Sequence, residues 1–186
     1  MSAHSELCAG WLDAARRTEI ECAIEDVHRE ISERIESRDP VCTASGRCCN
    51  FERYGHRLYT TGLEAALTLD RLPTQRALAA GDVDRALSEG TCPFVVDRLC
   101  GVHPVRPAGC RVYFCDPSAD IWVNELAESA SDGIKRIHDE FRIEYRYMEW
   151  RALLAMFLDS GLVRSPSRSV GFVPSDPFVE ISVDRA

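Results

Sequence analysis

Residues 92–115 read CPFVVDRLCGVHPVRPAGCRVYFC. Four thiols, Cys92, Cys100, Cys110 and Cys115, stand here among strand formers and turn residues. Pro93-Phe-Val-Val, then Asp97-Arg98, then Leu99-Cys-Gly-Val predicts a small hairpin with Asp97 and Arg98 at its turn. Pro104 and Pro107 stiffen the loop that leads to Cys110, lowering the entropy lost when it is ordered. A second group, Cys42, Cys48 and Cys49, lies upstream in CTASGRCCNFERYGHRLY, residues 42–59. Both groups fall outside the helical stripes. A loop can turn several thiolates toward one centre, whereas a regular helix presents only those three or four residues apart.

Outward from these loops the pattern is helical. Ile20, Ala23, Ile24, Val27, Ile31 and Ile35 recur at steps of three and four with charged residues between them, and Asp39-Pro40 ends the run. Thr61-x-x-Glu64 predicts a capping box for a helix carrying Leu63, Ala66, Leu67 and Leu69. Pro73, Gly81 and Gly90 are expected to punctuate two further short helical pieces. One long helical region is expected over residues 120–159, with Ile134, Ile137, Phe141, Tyr145, Met148, Ala152, Ala155 and Phe157 on its apolar face and Gly161 as the stop. Trp122 and Trp150 read as core or interface anchors, and Phe178-Val-Glu-Ile-Ser-Val as a late strand in a Ser- and Pro-containing tail. The expected fold is mainly α with a small β-hairpin. Its irregular Cys-rich loops gather around a metal centre, flanked by long N- and C-terminal helices. The segments are 1–39, an N-terminal helix packing on the core; 40–160, a cysteine-cluster domain with the C-terminal helix; and 161–186, a tail.

Composition narrows the function. The 186 residues are 45% hydrophobic, enough to pack a core without disulfides. With 30 acidic against 22 basic residues, the formal charge of −8 argues against a generic nucleic-acid backbone binder and against docking on anionic lipid. Only one basic residue, Lys135, is a lysine. No apolar run approaches the ~20 residues that span a bilayer, and MSAHSELCAGWLDAARRTEIE lacks the pattern of a secretory leader. The expected location is therefore the cytoplasm. Nine cysteines there, an odd number, read as metal ligands or redox thiols rather than a disulfide framework.

Thiolates are soft ligands suited to zinc or iron–sulfur clusters. The chain has no C-x2-C knuckle; it has Cys110-x4-Cys115 and the adjacent pair Cys48-Cys49. Adjacent side chains are expected to point apart, which suits two irons of a cluster, or two sites, better than one zinc. Seven clustered thiols exceed the four that one zinc or one ordinary cluster takes. Cys8 and Cys22 fall on the first helical segment and read as packing residues. His103, and more weakly His56, are either additional ligands or loop histidines. Arg106 and Arg111 bracket Cys110, as surface arginines or as guanidinium groups offsetting a four-thiolate site of charge about −2. Asp97 and Asp116 read as turn residues. There is no Ser/His/Asp arrangement, phosphate loop or HExxH.

The segments CTASGRCC (42–49) and CPFVVDRLCGVHPVRPAGCRVYFC (92–115) resemble the YkgJ-type cysteine-cluster family, whose domains are described as zinc- or iron-chelating. The carrying features are C-P-F, a later Cys, then R-P-x-x-C-R-x-Y-x-C. The resemblance covers residues 40–116, and LYTTGLEAALTL fits the helix that follows the double cysteine in that family. The common form has a further Cys between the first one and the pair; residues 43–47 contain none, so the ligand set here is reduced or rearranged. The resemblance implies a centre of Zn2+ or an iron–sulfur cluster held among Cys42, Cys48, Cys49, Cys92, Cys100, Cys110 and Cys115. Some relatives with this signature look like flagellin lysine N-methylases, but no glycine-rich S-adenosylmethionine fingerprint is present, so methylation is not carried over. The expected function is metal or cluster binding of structural or redox character, with no protein partner indicated. The alternatives are an enzyme using the centre for group transfer and a metal-free thiol-redox protein.

Overall fold

A computed structural model describes residues 2–40, 42, 44–73, 76–113 and 120–163. The chain is mainly helical with short antiparallel pairings, as expected. The N-terminal region forms two helices, α1 (Ala3–Ala15) and α2 (Thr18–Glu36). The Ser2 hydroxyl caps α1 by accepting from Ser5 N. Cys8, Trp11, Leu12, Ala14 and Ala15 of α1 are buried. Helix α4 (Gly62–Asp70) packs against this face, and its first residue must be small: a Cβ at Gly62 would lie 2.4 Å from the Trp11 ring. The predicted capping box is present, with Thr61 and Glu64 exchanging bonds at the N-terminus of α4. In α2 the stripe buries Ile20, Ile24 and Ile31 against helix α7 (Asp120–Phe141).

Two element boundaries differ from the sequence expectation. Residues 120–159 are not one helix. Helix α7 ends at Phe141, strand β4 spans Tyr147–Glu149, and α8 spans Trp150–Asp159. Arg142 takes a left-handed conformation (φ 54°), and Ile143 N returns to His138 O at 2.9 Å, the closure that usually announces itself with glycine. Buried His138 adds a bond from Nδ1 to Ile143 O at 3.2 Å. The Trp11 indole N–H donates to Glu144 O at 2.8 Å, and the Glu149 carboxylate caps α8 through Ala152 N. Tyr145, expected on a buried face, is exposed as a result. Gly81 is likewise not a breaker; it sits in the first turn of α5 (Ala80–Glu89), which stops at left-handed Gly90. Gly161 is the left-handed stop after α8.

Strand β1 (Tyr59–Thr61) pairs antiparallel with β4, Thr60 opposite Met148. The predicted hairpin pairs β2 (Val95–Val96) with β3 (Leu99–Cys100). Asp97 and Arg98 both have positive φ, 50° and 68°, as a two-residue hairpin turn requires. Two short helices complete the chain, α3 (Phe51–Tyr54) and α6 (Ala108–Arg111). One apolar cluster runs from Cys8 and Trp11 through Leu63 and Val102 to Trp150 and Phe157. Among the described residues no helix is long and apolar enough to cross a membrane. The late strand expected in the tail lies outside the described residues.

Candidate metal centre

Backbone contacts join the two cysteine segments before any sulfur is considered. Left-handed Gly46 (φ 71°) turns the chain into a 3-10 helix over Arg47–Cys49. A Cβ at Gly46 would come within 2.8 Å of Arg98 O, so the hairpin turn rests directly on this glycine. Cys92 N donates to Cys49 O at 2.8 Å, and Glu52 N donates to Gly90 O at 3.1 Å. Within the hairpin, Gly101 N donates to Phe94 O at 2.8 Å, which fixes the chain leaving Cys100.

The thiols follow from that scaffold. Cys48 Sγ and Cys49 Sγ are 3.9 Å apart. This corrects the expectation that adjacent side chains diverge: the tight 3-10 turn bends the backbone and brings both sulfurs to one side. A disulfide would need ~2.05 Å. Four sulfurs at ~2.3 Å around a tetrahedral zinc are spaced by about 3.8 Å, close to the observed separation. The Cys49 thiol also lies within interaction range of the Cys100 and Cys92 side chains, and Cys110 lies within electrostatic reach of Cys92, Cys100 and Cys48. Five thiols from three segments therefore meet: Cys48 and Cys49, Cys92 and Cys100, and Cys110.

Their acidities diverge. Hydrogen bonds from Cys49 are the main reason Cys100 falls to about 6 and Cys48 to about 7. Cys49, which supplies the shared proton, is pushed strongly up by its bonds with Cys100, Cys48 and Cys92 and then by burial. Burial of the Cys110 thiol raises it well above the ordinary range, with the Cys92 charge next in weight. Two sulfurs are thus poised to carry negative charge near neutral pH beside sulfurs that hold protons. Among the described residues, no three His, Cys, Asp or Glu side chains encircle a point as they would a bound ion. The one close sulfur pair among the described residues is Cys48–Cys49.

Arg106 faces this cluster, since its charge lowers Cys48, Cys100 and Cys110 together. Its buried Nε has no hydrogen-bond partner among the described residues. Arg111 has a different position: Nε donates to Arg106 O at 3.0 Å and NH2 to Pro104 O at 2.8 Å, clamping the loop before Cys110. His103 is exposed at the surface, and partial desolvation of its ring, then the Arg106 and Arg111 charges, lower its pKa. His56 stacks on Tyr113 at 4.5 Å and bonds through Nε2 to Cys48 O at 3.3 Å, so it buttresses the thiol turn. Cys42 is exposed, and no described contact brings it to the five. Cys115 and Asp116 lie outside the described residues. Cys8 is a core residue, while Cys22 is exposed on α2, contrary to the expectation of packing; it falls between the buried positions Ile20 and Ile24.

Two supporting residues were not singled out from sequence for these roles. Glu64 is buried, yet its carboxylate reaches beyond the capping box. Oε2 accepts from Thr60 Oγ1 (2.9 Å), Thr61 Oγ1 (2.9 Å) and Thr61 N (3.2 Å), and Oε1 accepts from Ala108 N at 2.9 Å. Ala108 opens α6, which carries Cys110, so one carboxylate ties that turn to α4. Arg151, also buried, lies over the Phe51 ring and bonds Glu149 at 2.8 Å and Glu52 at 3.4 Å. It anchors α3, directly after the thiol pair, to α8. The only local signal for either bond is the capping box, which says nothing of Ala108. No family model matches the chain, and neither a curated protein nor a solved structure matches it.

Proposed function

We propose that this chain is a cytoplasmic metal-binding protein whose centre is held by thiolates drawn from Cys48, Cys49, Cys92, Cys100 and Cys110, with a structural or redox role. The observation that carries the reading is the convergence of these five thiols from three segments, with Cys48 and Cys49 only 3.9 Å apart. The donor set is purely sulfur, which suits zinc or an iron–sulfur cluster and not a hard cation. The 3.9 Å between Cys48 Sγ and Cys49 Sγ would let both ligate one tetrahedral zinc. Bringing several sulfurs together costs little when they share protons, but deprotonation near neutral pH sets their charges against one another. A bound cation relieves that repulsion and releases the protons. Arg106 would donate its free Nε–H toward a sulfur and offset the remaining negative charge. The centre would join the loop of residues 44–50 to the hairpin and to α6, so metal binding and folding are coupled.

Anaerobic purification followed by metal and acid-labile sulfide analysis tests this. A colourless protein with stoichiometric zinc, or a brown one with iron and sulfide, supports the reading and decides the metal. A metal-free protein in which all five thiols react freely without denaturant would overturn it. Recovery of stable disulfides among the five without metal would transfer the site to thiol-redox chemistry.

A further inference from the structure

A small, partly open cavity of about 70 Å³ is bordered by α4, α6, α7 and the β1–β4 pair. Its lining includes Glu64, Ala108, Ala130 and Ile134. Tyr59 and Tyr147 stand at its edge. They are diagonal neighbours across the β1–β4 pair, with ring centroids 5.8 Å apart, and are 43% and 53% exposed. Large aromatic rings left this open on a two-stranded edge need a reason beyond core packing.

The electrostatics give the cavity a sign. The donors to Glu64, two threonine hydroxyls and two backbone N–H groups, are all uncharged; no cationic side chain bonds to it among the described residues, although its field also reaches Arg111 and His138. Three donors converge on Oε2 and one on Oε1, leaving a lone pair of Oε1 available. Its field reaches the aromatic rim: burial raises the Tyr147 and Tyr145 hydroxyl pKa values, and the Glu64 charge adds to both. A carboxylate, two tyrosine rings, the hydroxyl residues Thr61 and Ser131 and a remainder of small and aliphatic side chains make a poor site for an anion. They are also poor for a divalent ion, which takes six or more oxygens as calcium or an octahedral shell as magnesium. They match an organic cation, whose charge meets the carboxylate and ring faces while its carbon groups meet alanine and isoleucine.

We propose that this cavity binds an alkylammonium head group, with Glu64 as the counter-charge and Tyr59 and Tyr147 as its aromatic wall. No thiol lines the site, although α6, which carries Cys110, forms one of its walls. Methylammonium chloride titrated into the full chain at constant ionic strength, followed by amide NMR, tests this. Saturable shifts centred on Ala127, Ala130, Ser131 and Tyr147 are expected, with millimolar affinity fitting so small a probe. Tyr147→Ala removes an exposed ring and should weaken binding about tenfold while leaving the thermal midpoint and metal content unchanged. Glu64→Gln should abolish the shifts, its folding checked by circular dichroism. The proposal is overturned by an absence of saturable shifts, by equal binding of tert-butyl alcohol as a neutral probe, or by undiminished binding to Tyr147→Ala. Metal content measured on the same samples keeps such a failure separate from failure of the thiolate centre.

Discussion

Replacing Glu64 by alanine removes one acceptor from four donors, and the cost can be built from them. The Thr60 and Thr61 hydroxyls can rotate toward other acceptors, but Thr61 N and Ala108 N cannot. Both lie at buried residues and lose the carboxylate that satisfies them. A buried donor left unpaired costs roughly 1–3 kcal/mol, so two give about 4 kcal/mol at mid-range. A chain of this size, with an m-value of about 2 kcal/mol/M in urea, should lose about 2 M in its unfolding midpoint. Glu64→Gln keeps the shape and one acceptor, so about 1–2 kcal/mol is expected there. Urea titration followed by circular dichroism reads both. The same variants carry a functional signature: α6 is released at Ala108, so Cys110 should react with a thiol reagent faster in Glu64→Ala than in Glu64→Gln. A midpoint shift below ~0.5 M for Glu64→Ala, or unchanged Cys110 reactivity, would show that the carboxylate does not hold α6 in place.

Cys49→Ser should lower metal content and the thermal midpoint together, whereas Cys42→Ser should change neither; metal analysis and calorimetry on the pair decide whether Cys49 is a ligand. His28 supplies a pH dependence. Burial, then Arg111 and Arg106, hold it at about 3 in the folded chain against 6.5 ordinarily, so its contribution is complete above 6.5 and shrinks as pH falls, because only the unfolded state takes up the proton. The loss reaches about 2 kcal/mol at pH 5. His28→Gln should flatten the stability profile between pH 6.5 and 5, and a profile parallel to the parent's would refute the assignment. Arg142→Gly relieves a left-handed side-chain residue at the end of α7 and should raise stability by about 0.5–1 kcal/mol, read from the urea midpoint. A loss of stability would mean that the Arg142 side chain contributes contacts outweighing its backbone strain.

Where a signal is local, sequence and structure agree residue by residue. The stripe of α2, the Thr61–Glu64 capping box, the Asp97-Arg98 turn and the stop at Gly161 each depend on a few neighbouring residues. The break after Phe141 was not legible, because Arg142 adopts a conformation that sequence assigns to glycine and is held there by Ile143 closing on His138. The β1–β4 pairing was equally hidden. Strands of three residues have too little periodicity to read, and their partners are some ninety residues apart.

The candidate site divides in the same way. Sequence by itself determined the thiol donor set, its division into two segments, the hairpin beside Cys100 and the arginine beside Cys110, because residue type and turn propensity are written locally. Only the tertiary structure decided which thiols meet. It brought Cys48 and Cys49 to one side through a 3-10 turn and set Cys92 against them by the bond from Cys92 N to Cys49 O. It left Cys42 exposed, turned Arg106 toward the sulfurs and used Arg111 to clamp the loop. The reason is that sulfur-to-sulfur distance depends on how three separate segments pack, and that packing is fixed by long-range contacts: Gly46 beneath Arg98, and Glu64 across to Ala108.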